Sequence, residues 1–533
     1  MSQRSSFLSG SKKLPLVIIA SGIIFRVVQY LHNTSLCLDE ARDVVAGILG
    51  RSFSDFFKAP PDIYTPTPPA GFLIIEKLVT LTLGDSEYAL RLIPLLVSVL
   101  SLFLFYSVAK QYIKPKAVPI ALVFFAVLEP LIYYSAQVKP YTIDIASALL
   151  LFMAAIHIRS KALTFAHIIT FGVLGSVVVW FSSPSVFVLA GVGTVLIVSA
   201  LTLKDRKKVI QLLLIFLFWI AGFAAHYLFY LSKLTNEYML NAARGEECFM
   251  PFPPASFSDM RWYITAFFNM FEETAGFYYA GSIAAFLFLV GCYSMALKER
   301  HKFFILISPL PLVLIASGLS LYAFKQRIIL FLMPSLLFFI SEGIEEIGEK
   351  TSQNMHVIKT LLIGLLFFHP ILAASLHLYK PVSLEHEEVK PVLNYIRKNW
   401  QDGDVLYLHY RVHPAFTYYS KRYDFRDGDY IVGDYAGDKD NQWAFSPDYL
   451  RVYTNDINKL QGKNRVWMLF TYTPLLHKGI DERIFFEYYL NTIGKQLDFI
   501  ENDGPAVYLY DLSGKIIDSH TSSDKRNPLH WNF

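Results

Sequence analysis

Two adjacent carboxylates, Asp39 and Glu40, directly follow the first long apolar run of the chain. A carboxylate held at the edge of a membrane can act as a general base that takes a proton from a hydroxyl or an amine. A second interpretation needs no chemistry: Asp39 can cap a helix over residues 40–49, because acidic side chains are favoured in a first turn. The two roles are compatible. Asp39 is therefore the first candidate catalytic residue and Glu40 the second, with Arg42 as a candidate substrate contact.

Cations stand in three other turns that we predict to lie on the same side of the membrane. Such charges can neutralise a phosphate, although a cation flanked by tyrosines at a membrane surface can equally be a headgroup anchor. The candidate phosphate ligands are Lys139, Arg327, Arg91 and Lys325, and the candidate substrate contacts around Lys139 are Tyr134, Gln137 and Tyr141. A site that converges on a lipid-linked phosphate requires these turns to meet in one pocket.

The composition is typical of a membrane protein. Of the 533 residues, 54% are hydrophobic and 17% are charged, and the mean hydropathy is +0.38, whereas about 25% of the residues of a soluble protein are charged. These values exclude a soluble enzyme and a disordered regulator, and three cysteines exclude a disulfide framework. The net charge of +4 is too small to indicate a nucleic-acid partner.

Eleven runs are long and apolar enough to span a membrane, which takes about 20 residues. They lie at roughly 14–31, 88–109, 117–134, 141–158, 163–182, 184–203, 209–231, 281–297, 303–320, 327–345 and 359–378. The apolar stretch Phe72–Leu83 is too short to span and carries Glu76 and Lys77. We expect it to lie at the membrane surface as an amphipathic helix.

The distribution of lysine and arginine predicts the orientation of these spans, because cationic segments resist translocation. With the N-terminus in the cytoplasm, the following cations fall on the inner side: Arg4, Lys12, Lys13, Lys110, Lys114, Lys116, Arg159, Lys161, Lys204, Arg206, Lys207, Lys208, Lys298, Arg300, Lys302, Lys350 and Lys359. We therefore expect a multi-pass protein of the plasma (inner) membrane, with a cytoplasmic N-terminus and an extracytoplasmic C-terminal domain.

The chain divides into a membrane domain, residues 1–380, and an extracytoplasmic domain, residues 381–533. The membrane domain has two large outer loops, at 32–87 and 233–280. In the second domain, an amphipathic helical pattern at Val389–Asn399 precedes strand-like runs at Asp404–Tyr410, Arg465–Tyr472 and Ala506–Leu512. The predicted fold is therefore a polytopic α-helical membrane protein with a small C-terminal α/β domain.

These motifs, in this order, resemble those of the GT-C glycosyltransferases, which are polytopic enzymes that use a polyprenyl-phosphate sugar donor. The similarity is strongest to the branch that contains protein O-mannosyltransferases, aminoarabinose transferases and bacterial enzymes of the RgtA/B/C/D type. The matching motifs are Asp39-Glu40, Pro68-Pro69, Gly84–Leu92, Tyr134–Tyr141 and Arg327. Four positions depart from the family pattern: Ile93 is inserted before Pro94, Gln137 replaces Glu, Lys139 replaces Arg and Ile328 replaces Tyr. Lys139 keeps the charge of arginine but not its bidentate fork.

The resemblance implies an inverting hexosyl- or pentosyltransferase that moves a sugar from a polyprenyl-phosphate donor to a lipid, glycan or protein acceptor of the cell envelope. Because the leaving group is a phosphate, the reaction needs cations and one base for the acceptor, and not the carboxylate pair of a glycosidase. Under the resemblance the base is Asp39, and the phosphate ligands are Lys139 and Arg327, with Arg91 or Lys325 as a further candidate. No cofactor is expected to be required, although Asp39, Glu40 and Asp43 can hold a divalent cation.

A transporter or flippase of a lipid-linked substrate is the alternative function. Arg26, Glu129 and His226 lie within apolar runs, where ionisable residues often mark a transport pathway. The sequence shows no internal repeat of the kind that many transporters have. A third hypothesis is a receptor in which residues 380–533 bind a partner, but eleven spans exceed what anchoring requires.

The predicted orientation can be tested with reporter fusions. Alkaline phosphatase, which is active only outside the cytoplasm, should be active when fused after Phe533 and inactive when fused after Lys204, because the cations near Lys204 hold that loop inside. A green fluorescent protein fused at the same two positions is the control and should give the opposite pattern. Phosphatase activity at Lys204 would contradict the orientation.

Overall fold

The computed structural model describes residues 2–58, 68–160, 162–233, 248–349, 353–384, 386–434, 449–471, 473, 481–502 and 504–514. All eleven predicted spans are helical. Within these described residues, nine segments are long and apolar enough to cross a membrane: Lys13–His32, Glu87–Tyr112, Tyr141–Arg159, Ser185–Thr202, Arg206–Lys233, Gly281–Lys298, Arg300–Gly318, Gln326–Gly348 and Lys359–Leu376. Of the other two, one is a pair of helices bent by 57°, Ala117–Val127 and Glu129–Ala136, and one is the 17-residue helix Phe165–Phe181.

The helices of the first part of the chain have the following bounds: Ser2–His32, Leu38–Arg42, Ala70–Leu83, Glu87–Leu90, Leu92–Tyr112, Ala117–Val127, Glu129–Tyr133, Tyr141–Ser160, Phe165–Phe181, Ser185–Thr202, Arg206–Phe229, Phe257–Asn269, Gly281–Lys298, Arg300–Ile307, Pro309–Gly318, Met333–Glu349 and Gln353–Leu376. Single turns of 3₁₀ or π geometry extend or connect several of them: Asp43–Leu49, Phe53–Phe57, Tyr134–Ala136, Leu231–Lys233, Met270–Thr274 and Gln326–Leu332.

Proline explains the bend at residue 128, and an arginine compensates for it. Pro130 has no N–H to donate to the carbonyl of Ala126, four residues earlier. The buried guanidinium of Arg26 fills this gap, donating to the carbonyls of Phe125 at 2.9 Å and Ala126 at 3.2 Å, and to the Ser98 hydroxyl at 2.8 Å. Arg26 therefore has a structural role in this bundle, because it satisfies backbone groups that the bend exposes.

Two glycines let the helices Gly281–Lys298 and Met333–Glu349 approach closely. A Cβ atom on Gly291 would lie 1.9 Å from the carbonyl oxygen of Phe339, and one on Gly343 would lie 2.0 Å from that of Leu287. Neither position can accept a larger residue without separating the helices. Small residues at such contacts are the usual means of packing helices in a membrane.

The cations that we predict to be cytoplasmic meet acids of one helix. Glu346 pairs with Lys114 at 3.0 Å and with Lys298 at 2.5 Å, and Glu345 pairs with Lys359. These lysines belong to three different inner segments of the prediction. Their common location agrees with the predicted alternation of the spans. Lys161 and Lys350 lie outside the described residues.

The C-terminal domain contains a five-stranded mixed sheet with the order β2-β1-β3-β5-β4. The strands are β1 (Val405–Leu408), β2 (Tyr430–Val432), β3 (Val466–Phe470), β4 (Lys495–Glu501) and β5 (Ala506–Asp511), and the helices are Val389–Lys398, His413–Tyr419, Tyr449–Asn458 and Glu482–Ile493. Strands β2, β1 and β3 are parallel, whereas β5 and β4 are antiparallel to their neighbours. The three predicted strands are β1, β3 and β5, whose residues are buried.

Sequence reasoning missed the two edge strands for a physical reason. Strand β2 has only three residues, all half-buried, and β4 is mostly exposed. An edge strand packs against one neighbour only, so it needs no continuous apolar run. The helix predicted at Val389–Asn399 is present as Val389–Lys398.

The helix Ala70–Leu83 contains a buried acid that the predicted amphipathic pattern does not explain. An amphipathic helix at a membrane surface would expose both Glu76 and Lys77 on its polar side. Lys77 does donate to the carbonyls of Ile48 and Leu49, at 3.0 and 3.3 Å, but Glu76 is fully buried, and neither of its carboxylate oxygens has a hydrogen-bond partner among the described residues. Burial raises the pKa of Glu76 to about 9. Glu76 is therefore uncharged at neutral pH.

The raised pKa of Glu76 predicts that stability falls as the pH rises. The folded chain keeps this proton up to about pH 9, whereas the ordinary value is 4.5, so the stabilisation is complete below pH 4.5 and is lost as the pH rises through 9. In Glu76→Gln this dependence is absent, and the melting temperature in detergent should fall less between pH 5 and pH 9 than in the unmodified protein. Glu299→Gln, at an exposed position, is the control. Equal pH dependence of Glu76→Gln and the unmodified protein would contradict the prediction.

Candidate active site

The two candidate acids lie on the short helix Leu38–Arg42, which begins six residues after the first span ends. Cys37 is its N-cap residue, and Glu40 completes the cap by accepting from the Cys37 N–H at 3.3 Å. The interpretation of Asp39 as the cap of a helix beginning at residue 40 is therefore wrong, because the helix begins two residues earlier than expected. Asp39 lies inside the first turn, and its carboxylate is directed at other groups.

Glu40 is fully buried and is held by several donors. Arg91 donates to it through Nη2 at 2.8 Å and Nε at 3.3 Å, and the backbone N–H of Val138 donates at 2.7 Å. With its amide nitrogen turned toward the carboxylate, Gln137 donates to both oxygens, at 3.2 and 2.7 Å. This set of contacts explains why a glutamine at position 137 suits the site: an acid there would face Glu40 with a like charge.

Asp43 is the partner of Lys139. Its carboxylate is buried and lies 2.7 Å from the Lys139 ammonium, which also donates to the backbone carbonyl of Asp39 at 3.1 Å. Burial alone would lower the pKa of Lys139, but the charges of Asp43 and Asp39 outweigh burial and raise it. Lys139 is therefore a fixed positive charge directly beneath Asp39.

Asp39 forms an ion pair with Arg327. Both side chains remain about one third exposed, at 32% and 31%, unlike the buried Glu40 and Asp43. Burial raises the pKa of Asp39, but the positive charges of Lys139, Arg327 and Arg42 outweigh this effect, so that the pKa lies below its ordinary value. Asp39 is thus the ionised and accessible carboxylate of this helix.

Three acids within five residues are each neutralised by a cation from a different part of the chain. The partners of Glu40, Asp43 and Asp39 lie 51, 96 and 288 residues away in the sequence. The structure thus brings Asp39, Lys139 and Arg327 together, as a site for a lipid-linked phosphate requires. Two of the three acids, Asp39 and Glu40, lie on the helix Leu38–Arg42, and Asp43 begins the turn that follows it.

The candidate tyrosines lie beside this cluster. Tyr141 lies within electrostatic range of Arg327, Lys139 and Asp39, and its ring packs edge-on against Tyr134 with 4.9 Å between the centroids. Both rings are well packed, and Tyr134 is buried.

Arg42 lies within electrostatic range of Asp39 and also of Tyr410, a residue of the C-terminal domain.

The other two candidate phosphate ligands, Arg91 and Lys325, have different surroundings. Arg91 is 1% exposed and donates to Glu40 and to the carbonyls of Thr34 and Ser35. It therefore supports the helix Leu38–Arg42, called the acid helix below, and is not accessible at the surface of the protein. Lys325 lines a neighbouring cavity of about 440 Å³ between the helix Phe257–Asn269 and residues 324–329. The cluster at Asp39 therefore contains two of the four predicted cations, Lys139 and Arg327.

Residues of the C-terminal domain bind the backbone just before the acid helix. No sequence signal indicated these contacts. Glu388 accepts from the backbone N–H and the hydroxyl of Ser35, at 2.8 and 2.5 Å, and Glu387 accepts from the N–H of Leu38. The Tyr419 hydroxyl accepts from the N–H of Leu36 at 3.0 Å. Only the packing of the two domains brings these groups, which are 349 to 383 residues apart in sequence, into contact.

Known protein structures resemble this chain, although no family model and no curated protein matches its sequence. ArnT from Cupriavidus metallidurans in the apo state gives a TM-score of 0.51 at 9% sequence identity, over 95% of this chain and 98% of ArnT. The chain has the ArnT fold. ArnT bound to undecaprenyl phosphate gives the same TM-score and identity over 93% and 97% of the two chains. Because the match covers nearly all of both proteins, it includes the helical bundle and the C-terminal domain together.

The match to ArnT confirms the predicted fold, a polytopic helical bundle with a small C-terminal α/β domain. The archaeal oligosaccharyltransferase AglB from Archaeoglobus fulgidus, in complex with an inhibitory peptide and a dolichol-phosphate, is similar over 86% of this chain and 69% of its own. Its TM-score of 0.49 at 12% identity is too low to indicate a common fold by itself.

The described residues contain no group of three or more His, Cys, Asp and Glu side chains that is arranged to hold a metal ion. Asp39, Glu40 and Asp43, which we considered for a divalent cation, are each paired with a cation instead.

The buried Glu40–Arg91 pair predicts a large loss of stability when one partner is removed. Arg91→Met leaves Glu40 buried without its counter-ion, which typically costs about 3–5 kcal/mol. We expect a clear fall in melting temperature in detergent, whereas the double variant Glu40→Leu with Arg91→Met should be more stable than Arg91→Met alone. Lys58→Gln, which removes the exposed ion pair with Asp55, is the control and should melt nearly as the unmodified protein does. An unchanged melting temperature for Arg91→Met would contradict this role.

Proposed function

We propose that this chain is an integral membrane glycosyltransferase that moves a sugar from a polyprenyl-phosphate donor to an acceptor outside the cytoplasm. The observation that carries the proposal is the meeting of Asp39, Lys139 and Arg327 in one cluster next to the spans. The ArnT fold supports it, because one ArnT structure is bound to undecaprenyl phosphate. We infer that the N-terminus is cytoplasmic and that the cluster faces the outer side of the membrane.

In this proposal Arg327 and Lys139 bind the donor phosphate. Arg327 is one third exposed and can offer the bidentate geometry that suits a phosphate. Lys139 is largely buried and keeps its charge through Asp43, so it contributes a fixed positive potential close to the same point. Positive charge that is already in place where the leaving oxygen becomes anionic is usually a large part of catalysis.

Asp39 is the proposed base, and donor binding would prepare it. In the structure the carboxylate is paired with Arg327, which favours the ionised form but makes it a weak base. A donor phosphate that binds Arg327 would compete for this guanidinium. The loss of the pair raises the pKa of Asp39 toward its ordinary value, so the carboxylate becomes a better proton acceptor when the donor is in place.

The transfer step itself is a substitution at the anomeric carbon. An acceptor oxygen or nitrogen forms a bond to this carbon while the bond from the carbon to the phosphate oxygen breaks. Asp39 takes the acceptor proton, and the electron pair of the broken bond leaves with the polyprenyl phosphate, whose charge Arg327 and Lys139 balance. Attack opposite the leaving group inverts the anomeric configuration.

The position of the C-terminal domain suggests that it contributes to acceptor binding. Tyr410 of this domain lies close to Arg42, which in turn lies close to Asp39. An acceptor that contacts the domain could therefore reach the cluster. The proposal leaves lipid, glycan and protein acceptors as alternatives, and both hexose and pentose as the sugar.

The residues that favoured a transporter make packing and pairing contacts in this structure. Arg26 binds the carbonyls of a bent helix, and Glu129 pairs with His377 at 2.7 Å. His226 packs between the rings of Trp180 and Tyr230, with centroid distances of 5.0 and 5.5 Å. These contacts are those of residues that hold the bundle together, so the transferase is the better supported of the two functions.

Asp39→Asn tests the proposed base. We expect sugar transfer to fall by about 10²–10⁴-fold, the usual contribution of a general base, while the protein remains folded because Asn can still accept from Arg327. The measurement is release of undecaprenyl phosphate by purified protein from a panel of undecaprenyl-phosphate sugars, with a membrane extract as the source of acceptor. Asp55→Asn, an acid of the same loop outside the cluster, is the control and should keep full activity. Equal activity of both variants would exclude Asp39 as the base.

Arg327 is tested by comparing two replacements. Arg327→Gln removes the charge and should reduce transfer by about 10²–10³-fold, as the loss of one stabilising group at a developing anion does. Arg327→Lys keeps the charge without the bidentate fork and should recover part of this loss. Lys325→Gln, on the neighbouring cavity, is the control. A larger effect of Lys325→Gln than of Arg327→Gln would show that the phosphate binds in that cavity instead.

A further inference from the structure

A cavity of about 710 Å³ lies at one end of the helical bundle. The cluster of Asp39, Lys139 and Arg327 lies at the opposite end. The helix Tyr141–Ser160 connects the two places: Tyr141 lies near Asp39, and Arg159 lines the cavity. At 1.5 Å per residue, these two positions are about 27 Å apart along the helix axis. The cavity is therefore separate from the proposed reaction centre by nearly the thickness of a membrane.

The wall of the cavity is apolar. Leu163, Leu196, Leu212 and Ile305 line it, and each is at least 94% buried. Tyr112 lines it as well, with its hydroxyl donating to the carbonyl of Phe152 at 2.8 Å. The polar lining residues Gln111 and Gln211 already donate to the carbonyls of Ser107 and Leu163, at 3.2 and 2.7 Å. The wall is therefore mainly apolar and offers a place for hydrocarbon.

The rim of the cavity is positively charged. Its charged lining residues are the cations Arg159, Lys207, Lys208 and Lys302 and the single acid Asp205. Asp205 caps a helix by accepting from the N–H of Lys208 at 2.9 Å, and its charge offsets one of the four cations. Lys302 lies 3.5 Å from Glu299. The rim nevertheless keeps a net positive charge.

Two features direct this charge at the cavity mouth. Arg159 is exposed, and among the described residues no group accepts a hydrogen bond from its guanidinium or forms an ion pair with it. The helix Arg206–Phe229 begins at the rim, so the positive end of its dipole adds to the charge of the side chains.

We propose that this cavity binds an anionic phospholipid, with the headgroup phosphate at the cationic rim and the part of an acyl chain nearest the headgroup against the apolar wall. The volume is within the range of about 300–1,000 Å³ that is usual for ligand sites. A free phosphate would use only the rim, whereas a phospholipid uses the cationic rim and the apolar wall together. Basic pockets between membrane helices are known to take anionic headgroups. The inference does not depend on the proposed glycosyltransferase activity, because it concerns the other end of the bundle.

The test uses the purified full-length protein in detergent. Phosphatidylglycerol and phosphatidylcholine with the same acyl chains are added separately, and sn-glycerol 3-phosphate serves as the free anion. Native mass spectrometry counts retained lipid, and the melting temperature reports stabilisation. We expect phosphatidylglycerol to be retained and to raise the melting temperature, and we expect phosphatidylcholine and glycerol phosphate to have little effect.

Two double variants with the same change in charge locate the site. Arg159→Gln with Lys207→Gln removes two rim cations, and Lys204→Gln with Arg206→Gln removes two exposed cations of the neighbouring loop that do not line the cavity. Each cation close to an anionic lipid surface contributes roughly a factor of five in affinity, so the rim variant should bind phosphatidylglycerol about 25-fold more weakly. The loop variant should bind it almost as the unmodified protein does.

A third variant separates the wall from the rim. Ser199→Trp places a large ring in the cavity without changing the charge, and it should also abolish retention of phosphatidylglycerol. Equal losses in the rim and loop variants would show that the lipid responds to general surface charge and would overturn the proposal. Stabilisation by glycerol phosphate equal to that by phosphatidylglycerol, unaffected by Ser199→Trp, would overturn it in favour of a site for a free anion.

Discussion

The site depends on the neutralisation of three carboxylates that the chain places within five residues of each other. An unpaired charge is costly inside a protein, so the helix Leu38–Arg42 and the turn that begins at Asp43 can pack here only if each acid meets a cation. Glu40 meets Arg91 in full burial, and Asp43 meets Lys139. These two pairs hold the helix in place, and they leave Asp39 at the surface of the cluster. The accessible carboxylate is thus a consequence of the two buried ones.

This arrangement separates buried, supporting side chains from accessible ones in a way that residue type does not reveal. Glu40 and Asp39 are adjacent acids, yet one is enclosed by donors and the other is one third exposed. Arg91 and Arg327 are both arginines at predicted outer positions, yet Arg91 also binds the carbonyls of Thr34 and Ser35 and is buried. The C-terminal domain belongs to the support as well, because Glu388 and Tyr419 bind backbone groups just before the acid helix.

The two ends of the bundle differ in how their charges are balanced. At the end with Asp39, cations are matched by the acids of one short helix. At the other end, the acids of the helix Met333–Glu349 pair with lysines on one side of the bundle, while the cations around Arg159 border a cavity with an apolar wall. A membrane supplies anionic headgroups to such a surface, so unbalanced positive charge is tolerable there and would not be tolerable in the interior.

The sequence by itself determined the class of fold, the eleven helical segments and the buried strands β1, β3 and β5, because length and apolar periodicity are local properties of the chain. It also identified Asp39, Lys139 and Arg327 as residues that could work together, since their order along the chain matched a known pattern. It kept Arg91 and Lys325 as further candidate phosphate ligands, and it did not find the edge strands β2 and β4. Tertiary structure alone decided those points, because which cation meets which acid is fixed by contacts between segments 51 to 288 residues apart, and a sequence records such contacts only indirectly.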